Sequence, residues 1–347
     1  MPYKSIFFGY DYMIRNFIVK SSQIVYKLLL MIRHIYKLIL FLIIIPIFIW
    51  SFCCITHASG EITALSYILV DKDSFEIISG RDFHRPLPPA STTKVLTTIV
   101  ALENLTGNET VIPDKGVLKL PRSKLHLQPG KGYRADDLIK GAMIESANDA
   151  AYALATYIGG TEADFAHMMN RKALEIGARN SNFKNASGLY LPGQQTTCYD
   201  LALIFRYALS NKRFKEIVST RYFLFKEGKK SIRYQNHNRF LFCFEPAIGG
   251  KTGYTRASRH SYVGAFEKDN KTYILALLGS EDKWGDAVEI LRVLYDRVPS
   301  DKELRLAKAN SIVLSSFKDK KIKKTAKISK KQKIKQKKTV KKPSKRR

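Results

Sequence analysis

The chain is poor in cysteine and poor in acid. Four cysteines in 347 residues are too few for a disulfide scaffold. No Cys/His cluster has the spacing of a zinc site, so neither a metal nor another cofactor is expected. Cys53 and Cys54 lie inside an apolar run. Cys198 and Cys243 remain, and their spacing leaves open whether they pair. Asp and Glu number 30 against 59 Lys and Arg, a net charge of +29. The imbalance is local: residues 317–347 hold 17 Lys/Arg against one Asp, and residues 1–58 carry +5, which leaves +8 for the centre. The centre is therefore an ordinary, mildly basic globular sequence, long enough to bury a core.

The two ends read differently. Leu38–Ile55 is apolar except for Pro46 and Ser51, is preceded by Arg33, His34 and Lys37, and is followed by Thr56-His-Ala58. This is the pattern of a signal peptide cleaved after Ala58 or of an uncleaved N-terminal anchor. A start at Met31 would give a leader of more usual length. A positive flank keeps the N-terminus cytoplasmic, so the centre is expected outside the cytoplasm, where nucleic acid is no routine partner. Lys318–Arg347 is low in complexity, with isoleucines too sparse for a core, and is expected to be disordered. Its charge suits an anionic membrane or wall polymer. The expected division is 1–58 leader or anchor, 59–300 globular domain and 301–347 basic tail.

Three short motifs occur in order: Ser91-Thr-Thr-Lys94, Ser146-Ala-Asn148 and Lys251-Thr-Gly253. Singly they are weak. Ser-x-x-Lys also begins at Ser181, Ser280 and Ser315, and those three matches are taken as noise. The settings are more telling. Pro88-Pro89 keeps the chain extended up to Ser91, and Thr92–Leu105 has the apolar period of a helix. A spacing of three then puts Ser91 and Lys94 on one face. Asp149–Ile158 reads as a second helix. Ile248–Gly253 carries little side-chain bulk, so a substrate backbone can approach that edge. Thr63–Asp71 with Ser74–Ser79 around Asp71-Lys-Asp, and His260–Glu267 with Thr272–Gly279 around Lys268-Asp-Asn-Lys271, read as hairpins. Asp286–Arg297 reads as a closing helix. Strands at both ends with helices between them indicate an α+β sandwich.

The longer stretches Pro88–Thr98, Gly141–Ala151, Gly177–Leu189 with Pro192-Gly193, and Gly249–Thr255 resemble segments of the serine-type D-alanyl-D-alanine carboxypeptidases, the low-molecular-mass penicillin-binding proteins. The similarity runs from about Ile62 to about Tyr295. The resemblance implies a β-lactamase/transpeptidase-like α+β fold: a five-stranded antiparallel sheet flanked by helices, with a helical subdomain carrying Ser146. It implies Ser91 as nucleophile, Lys94 as its base and Ser146 as proton relay. Asn148, Lys251, Thr252, Gly253 and Tyr254 would face the substrate, with the N–H groups of Ser91 and Tyr254 as oxyanion donors. Peptidoglycan stem peptides are the implied substrate and β-lactams the implied covalent inhibitors.

Two departures stand out. Relatives often have a glycine where this chain has Ser258-Arg259-His260. Many also carry an arginine at the start of the last helix to hold the substrate carboxylate, where Asp286 aligns here, with Trp284 and Lys283 nearby. Arg259, or Arg256, is the substitute the sequence offers. A class A β-lactamase would need a Glu-x-x-x-Asn loop soon after Ser146, and Thr161–Asn182 contains none. The same residues would equally suit a D,D-endopeptidase. The rival of another class is a catalytically idle fold whose basic tail binds an anionic polymer.

Overall fold

The computed structural model describes residues 27–42, 61–228, 230–308 and 312–313. They belong to two units, 1–59 and 60–347. In the first, residues 27–42 form a helix with its apolar side chains largely exposed. Residues 43–55 of the apolar run, the expected cleavage point after Ala58 and the lysine-rich stretch beyond Val313 lie outside the described residues. No helix among the described residues is long and apolar enough to cross a membrane.

The second unit runs β1 (Ser66–Asp71), β2 (Ile77–Arg81), α1 (Lys94–Asn104), α2 (Asn148–Gly159), α3 (Glu162–Ile176), α4 (Cys198–Ser210) and α5 (Lys212–Ser219). It continues with a hairpin, β3 (Tyr222–Glu227) and β4 (Lys230–Gln235), then β5 (Ala247–Thr255), β6 (Arg259–Lys268), β7 (Lys271–Ser280) and α6 (Lys283–Leu291), with shorter turns between. The main sheet has the order β2-β1-β7-β6-β5, and every pair in it is antiparallel. This is the expected five-stranded α+β architecture.

Side-chain alternation explains why the sheet is covered on both faces. Ile68, Val70, Val263, Ala265, Ile274, Ala276 and Leu278 join the core formed with α1 and α4. Their neighbours Leu69, Tyr262, Phe266, Leu275 and Leu277 join a second core with Trp284, Ala287, Ile290 and Leu291 of α6. A period of two sends alternate residues to opposite faces, so strands that are apolar throughout must lie between two layers.

The β6–β7 hairpin closes at Asp269-Asn270, with φ of 50° and 60°. Those angles suit the two-residue turn that matches strand twist, as the Lys268-Asp-Asn-Lys271 sequence anticipated. The first hairpin differs from expectation. Its second strand is Ile77–Arg81 instead of Ser74–Ser79, because the Asp71 carboxylate accepts from the N–H groups of Asp73 and Ser74 and from the Ser74 hydroxyl. That side-chain turn takes Ser74 out of the ladder and lowers the Asp71 pKa.

The closing helix spans Lys283–Leu291, not Asp286–Arg297. Asp282 caps it by accepting from Trp284 N–H at 3.2 Å, so the helix starts three residues ahead of the expected position. Asp286 is 3% exposed and accepts from Thr63 N–H at 2.7 Å and Thr63 Oγ1 at 2.9 Å. It fastens the chain before β1 onto α6. Cys198 and Cys243 are both free thiols. Asp286→Ala should lower unfolding stability by roughly 2–3 kcal/mol, since it removes charged hydrogen bonds and strands the Thr63 donors; a denaturant titration reads this as a lower midpoint.

Candidate active site

Ser91 does not open the helix expected over Thr92–Leu105. It sits in a separate 3-10 turn, Ala90–Thr93, and α1 begins at Lys94. Ala90 has a φ of +49°, which side-chain-bearing residues adopt only when the surroundings compel it. Here Pro89 O accepts from Thr92 Oγ1 at 2.7 Å and from Ser261 Oγ of β6 at 2.8 Å. Two glycines allow the neighbouring segments to close in. A Cβ on Gly253 would lie 2.8 Å from Ser91 N, and one on Gly188 would lie 1.8 Å from Ala90 O.

Lys94 is fully buried. Its Nζ lies 3.0 Å from Ser91 Oγ, 2.9 Å from Asn148 Oδ1 and 2.6 Å from Ser187 O. Burial, with the charge of Lys251 adding to it, holds its pKa well below the usual lysine value, and Asp149 and Glu162 pull weakly the other way. A neutral amine has two hydrogens and one lone pair. Asn148 Oδ1 and Ser187 O can only accept, so they take both hydrogens, and the lone pair is left facing the Ser91 hydroxyl. This is the geometry a base needs to activate a serine. The Ser187 carbonyl is itself held in place: Ala186 N–H donates to Glu162 Oε1 at 3.2 Å, and Thr97 Oγ1 donates to Ala186 O at 2.6 Å.

Ser146 follows a π-turn, Gly141–Glu145, and has left-handed backbone angles, φ 63° and ψ 29°. Lys251 Nζ of β5 donates to Ser146 Oγ at 2.9 Å and to Thr252 O at 2.9 Å. Burial brings the Lys251 pKa down to about 7, against the pull of Glu145. Helix α2 starts at Asn148, one residue earlier than expected. Asn148 Nδ2 donates to Arg122 O at 2.8 Å. The buried Asp149 carboxylate accepts from Leu125 N–H at 3.0 Å and Leu127 N–H at 3.1 Å. The loop 121–127 is thus tied to the second motif.

These residues meet at a cleft of about 400 Å³, whose walls include Ser91, Ser146, Asn148, Thr252, Gly253 and Tyr254. Arg259 is placed elsewhere. Its φ is +54°, at the point where relatives often carry glycine, and its guanidinium pairs with Glu281 at 3.0 Å, half-exposed and away from the cleft walls. The cations that do line the cleft include Arg239, which sequence reasoning passed over, and Lys283, which it noted only as a neighbour of Asp286. Lys283 ends the Ser280-x-x-Lys283 match that was set aside as noise. It lies 5.2 Å from the Trp284 ring centroid and 3.0 Å from His260 Nδ1. Burial and Arg239 lower its pKa to about 8.

A family model described as D-alanyl-D-alanine carboxypeptidase matches residues 54–282. The chain belongs to the D-alanyl-D-alanine carboxypeptidase family. It is 36% identical over 217 residues to the D-alanyl-D-alanine carboxypeptidase DacB2 of Mycobacterium tuberculosis, covering 62% of this chain and 74% of that protein. It is 29% identical over 223 residues to DacF of Bacillus subtilis, another D-alanyl-D-alanine carboxypeptidase, covering 62% of this chain and 57% of that one. A crystal structure of D-alanyl-D-alanine carboxypeptidase from M. tuberculosis H37Rv superposes with a TM-score of 0.65 at 32% identity, over 70% of this chain and 94% of that chain. Members of the carboxypeptidase family are serine-type peptidases.

Within this family frame the nested glycine at 253 has a specific consequence. Gly253→Ala should push β5 off the Ser91 turn, because backbone atoms cannot yield as a flexible side-chain end does. The acylation rate of Ser91 by a penicillin should fall by at least about 100-fold, the cost of misplacing reacting groups by about 1 Å, as followed by intact-protein mass spectrometry.

Proposed function

We propose that the protein removes the C-terminal D-alanine from peptidoglycan stem pentapeptides through an acyl-enzyme on Ser91. The observation that carries this reading is the Lys94 amine with two pure acceptors and the Ser91 hydroxyl around it. Lys94 takes the proton of Ser91 as Oγ attacks the carbonyl of the penultimate D-Ala. The backbone N–H groups of Ser91 and Tyr254 receive the negative charge on the carbonyl oxygen, each worth on the order of 3 kcal/mol of barrier. Collapse breaks the peptide bond, and Ser146, hydrogen-bonded to Lys251, relays the proton held by Lys94 to the leaving amine. Water then attacks the ester carbonyl and gives a proton to Lys94, which returns it to Ser91 Oγ as the ester C–O bond breaks. Asn148 orients Lys94 and the substrate amide.

The leaving residue ends in a carboxylate. Thr252 together with Arg239 and Lys283 forms the cationic end of the cleft that suits it, a role the Arg259–Glu281 pair is poorly placed to fill. Lys251 acts through Ser146, since both its hydrogen bonds are internal. A β-lactam acylates the same serine. This substrate places the catalytic domain outside the cytoplasm, delivered by the N-terminal apolar segment. The lysine-rich tail adds affinity for anionic membrane or wall polymers, which a salt-sensitive difference in binding between the full chain and a tail-deleted form would reveal.

The test is D-Ala release from a muramyl pentapeptide. The wild type should release it, and Ser91→Ala should release none while staying folded. Lys94→Arg, whose guanidinium keeps its charge at all working pH values, should lose about 1,000-fold or more in Ser91 acylation, about the contribution of general-base help. Full acylation of Lys94→Arg would remove Lys94 from the base role. Release from cross-linked dimers but not from pentapeptide would make the protein an endopeptidase.

A further inference from the structure

His260 lies outside the three motifs and has no part in the steps above. It is the second residue of β6. In the ladder it stands directly opposite Tyr254 on one side and Ser280 on the other. The register with β7 shifts between His260 and Tyr262, and such a bulge re-aims a side chain. The imidazole is packed against the Tyr254 ring, with centroids 4.6 Å apart. Its Nδ1 is 3.0 Å from Lys283 Nζ. An ammonium has three donors and no acceptor, so Nδ1 must be the unprotonated ring nitrogen. Burial first, then the charges of Lys283 and Arg239, bring the His260 pKa down to about 4, with Asp282 opposing. The ring is therefore a neutral acceptor at working pH.

Among the described residues, His260 Nδ1 is the acceptor on Lys283 Nζ. Two N–H groups of that ammonium are left for a ligand in the cleft that Lys283 lines. A lysine stem is flexible and holds its charge as a point, unlike the planar fork of arginine. Where relatives often use arginine, a lysine needs a fixed partner to aim it. We propose that His260 is a positioning residue whose imidazole aims the Lys283 ammonium at the C-terminal carboxylate of the substrate, so that the pair does the work of an arginine. The inference rests on the carboxypeptidase reading and adds to it the group that confers preference for a free carboxylate.

The charges around Lys283 are Arg239 from the loop before β5, Asp282 from its own helix cap and the buried Lys251 of β5, and Lys308 lines the same cleft. Arg239 also lines the cleft and remains there as a second cation. Loss of the Lys283 proton through about pH 8 thus weakens carboxylate binding without abolishing it.

The experiment compares kcat and KM of the full chain for a peptide ending in D-Ala-D-Ala and for the same peptide ending in D-Ala-D-alaninamide, between pH 6 and 9.5. The wild type should prefer the acid, and that preference should fall several-fold as pH rises through about 8. His260→Phe keeps an aromatic ring against Tyr254 and removes the acceptor. It should cut the acid-over-amide preference about 10-fold at pH 7, a typical loss for a hydrogen bond to a charged group, mainly through KM for the acid. His260→Asn, whose Oδ1 can take the place of Nδ1, should restore most of it. An unchanged preference in His260→Phe, an equal loss on both peptides, or no rescue by His260→Asn would each overturn the inference alone. No release from either peptide by the wild type would overturn the carboxypeptidase reading, and this inference with it.

Discussion

Lys94 Nζ lies in the protein interior with an amide oxygen, a carbonyl oxygen and a hydroxyl around it. Charging it there means charging a group with no carboxylate bonded to it and with another lysine nearby, a costly state in a low-dielectric setting. The neutral form satisfies every group, and in doing so it points its lone pair at Ser91. The rest of the site can be understood as the means of holding those oxygens still. Asn148 is fixed by its own bonds to the loop at Arg122 and Ser123. Ser187 is fixed through Ala186 by Glu162 and Thr97.

Close approach is the second constraint. The Ser91 turn, the Gly188 segment and strand β5 meet with no room for a Cβ at Gly188 or Gly253. The β6 strand contributes Ser261 to the same turn through Pro89 O. The two-sided sheet makes such nesting durable, because β6 and β7 are buried on both faces and cannot shift without disturbing two cores. The strained φ of Ala90 and the left-handed Ser146 are held by this packing and set the directions of the two hydroxyls.

Much of this was legible in the residues. The apolar strands, the Asp269-Asn270 turn and the three motifs announced the sheet and the cleft, because period, turn chemistry and short spacing are local properties. What was hidden depended on side chains that reach far along the chain. The Asp71 and Asp282 caps moved element ends by a few residues, which a hydrophobic period cannot register. Asp286 looked like a substitute at a carboxylate-binding position, yet it holds Thr63, 223 residues away in sequence. Arg259 suited a carboxylate by chemistry, but its left-handed backbone sends it to Glu281. Lys283 was visible only as a neighbour of Asp286 and as the end of one of several Ser-x-x-Lys matches. What gives it meaning is the fold, which sets it beside His260, Trp284 and the open cleft.

The central claim is that Lys94 gives up its proton well below the pH at which an ordinary lysine does. Nitrogen-15 NMR of the lysine side chains, with Lys94 assigned by comparison with Lys94→Arg, tests it without relying on turnover. The account predicts that the Lys94 resonance changes to the shift of a neutral amine at a pH where the exposed lysines are still ammonium groups. A Lys94 signal that remains an ammonium up to about pH 10, the range of an ordinary lysine, would contradict it.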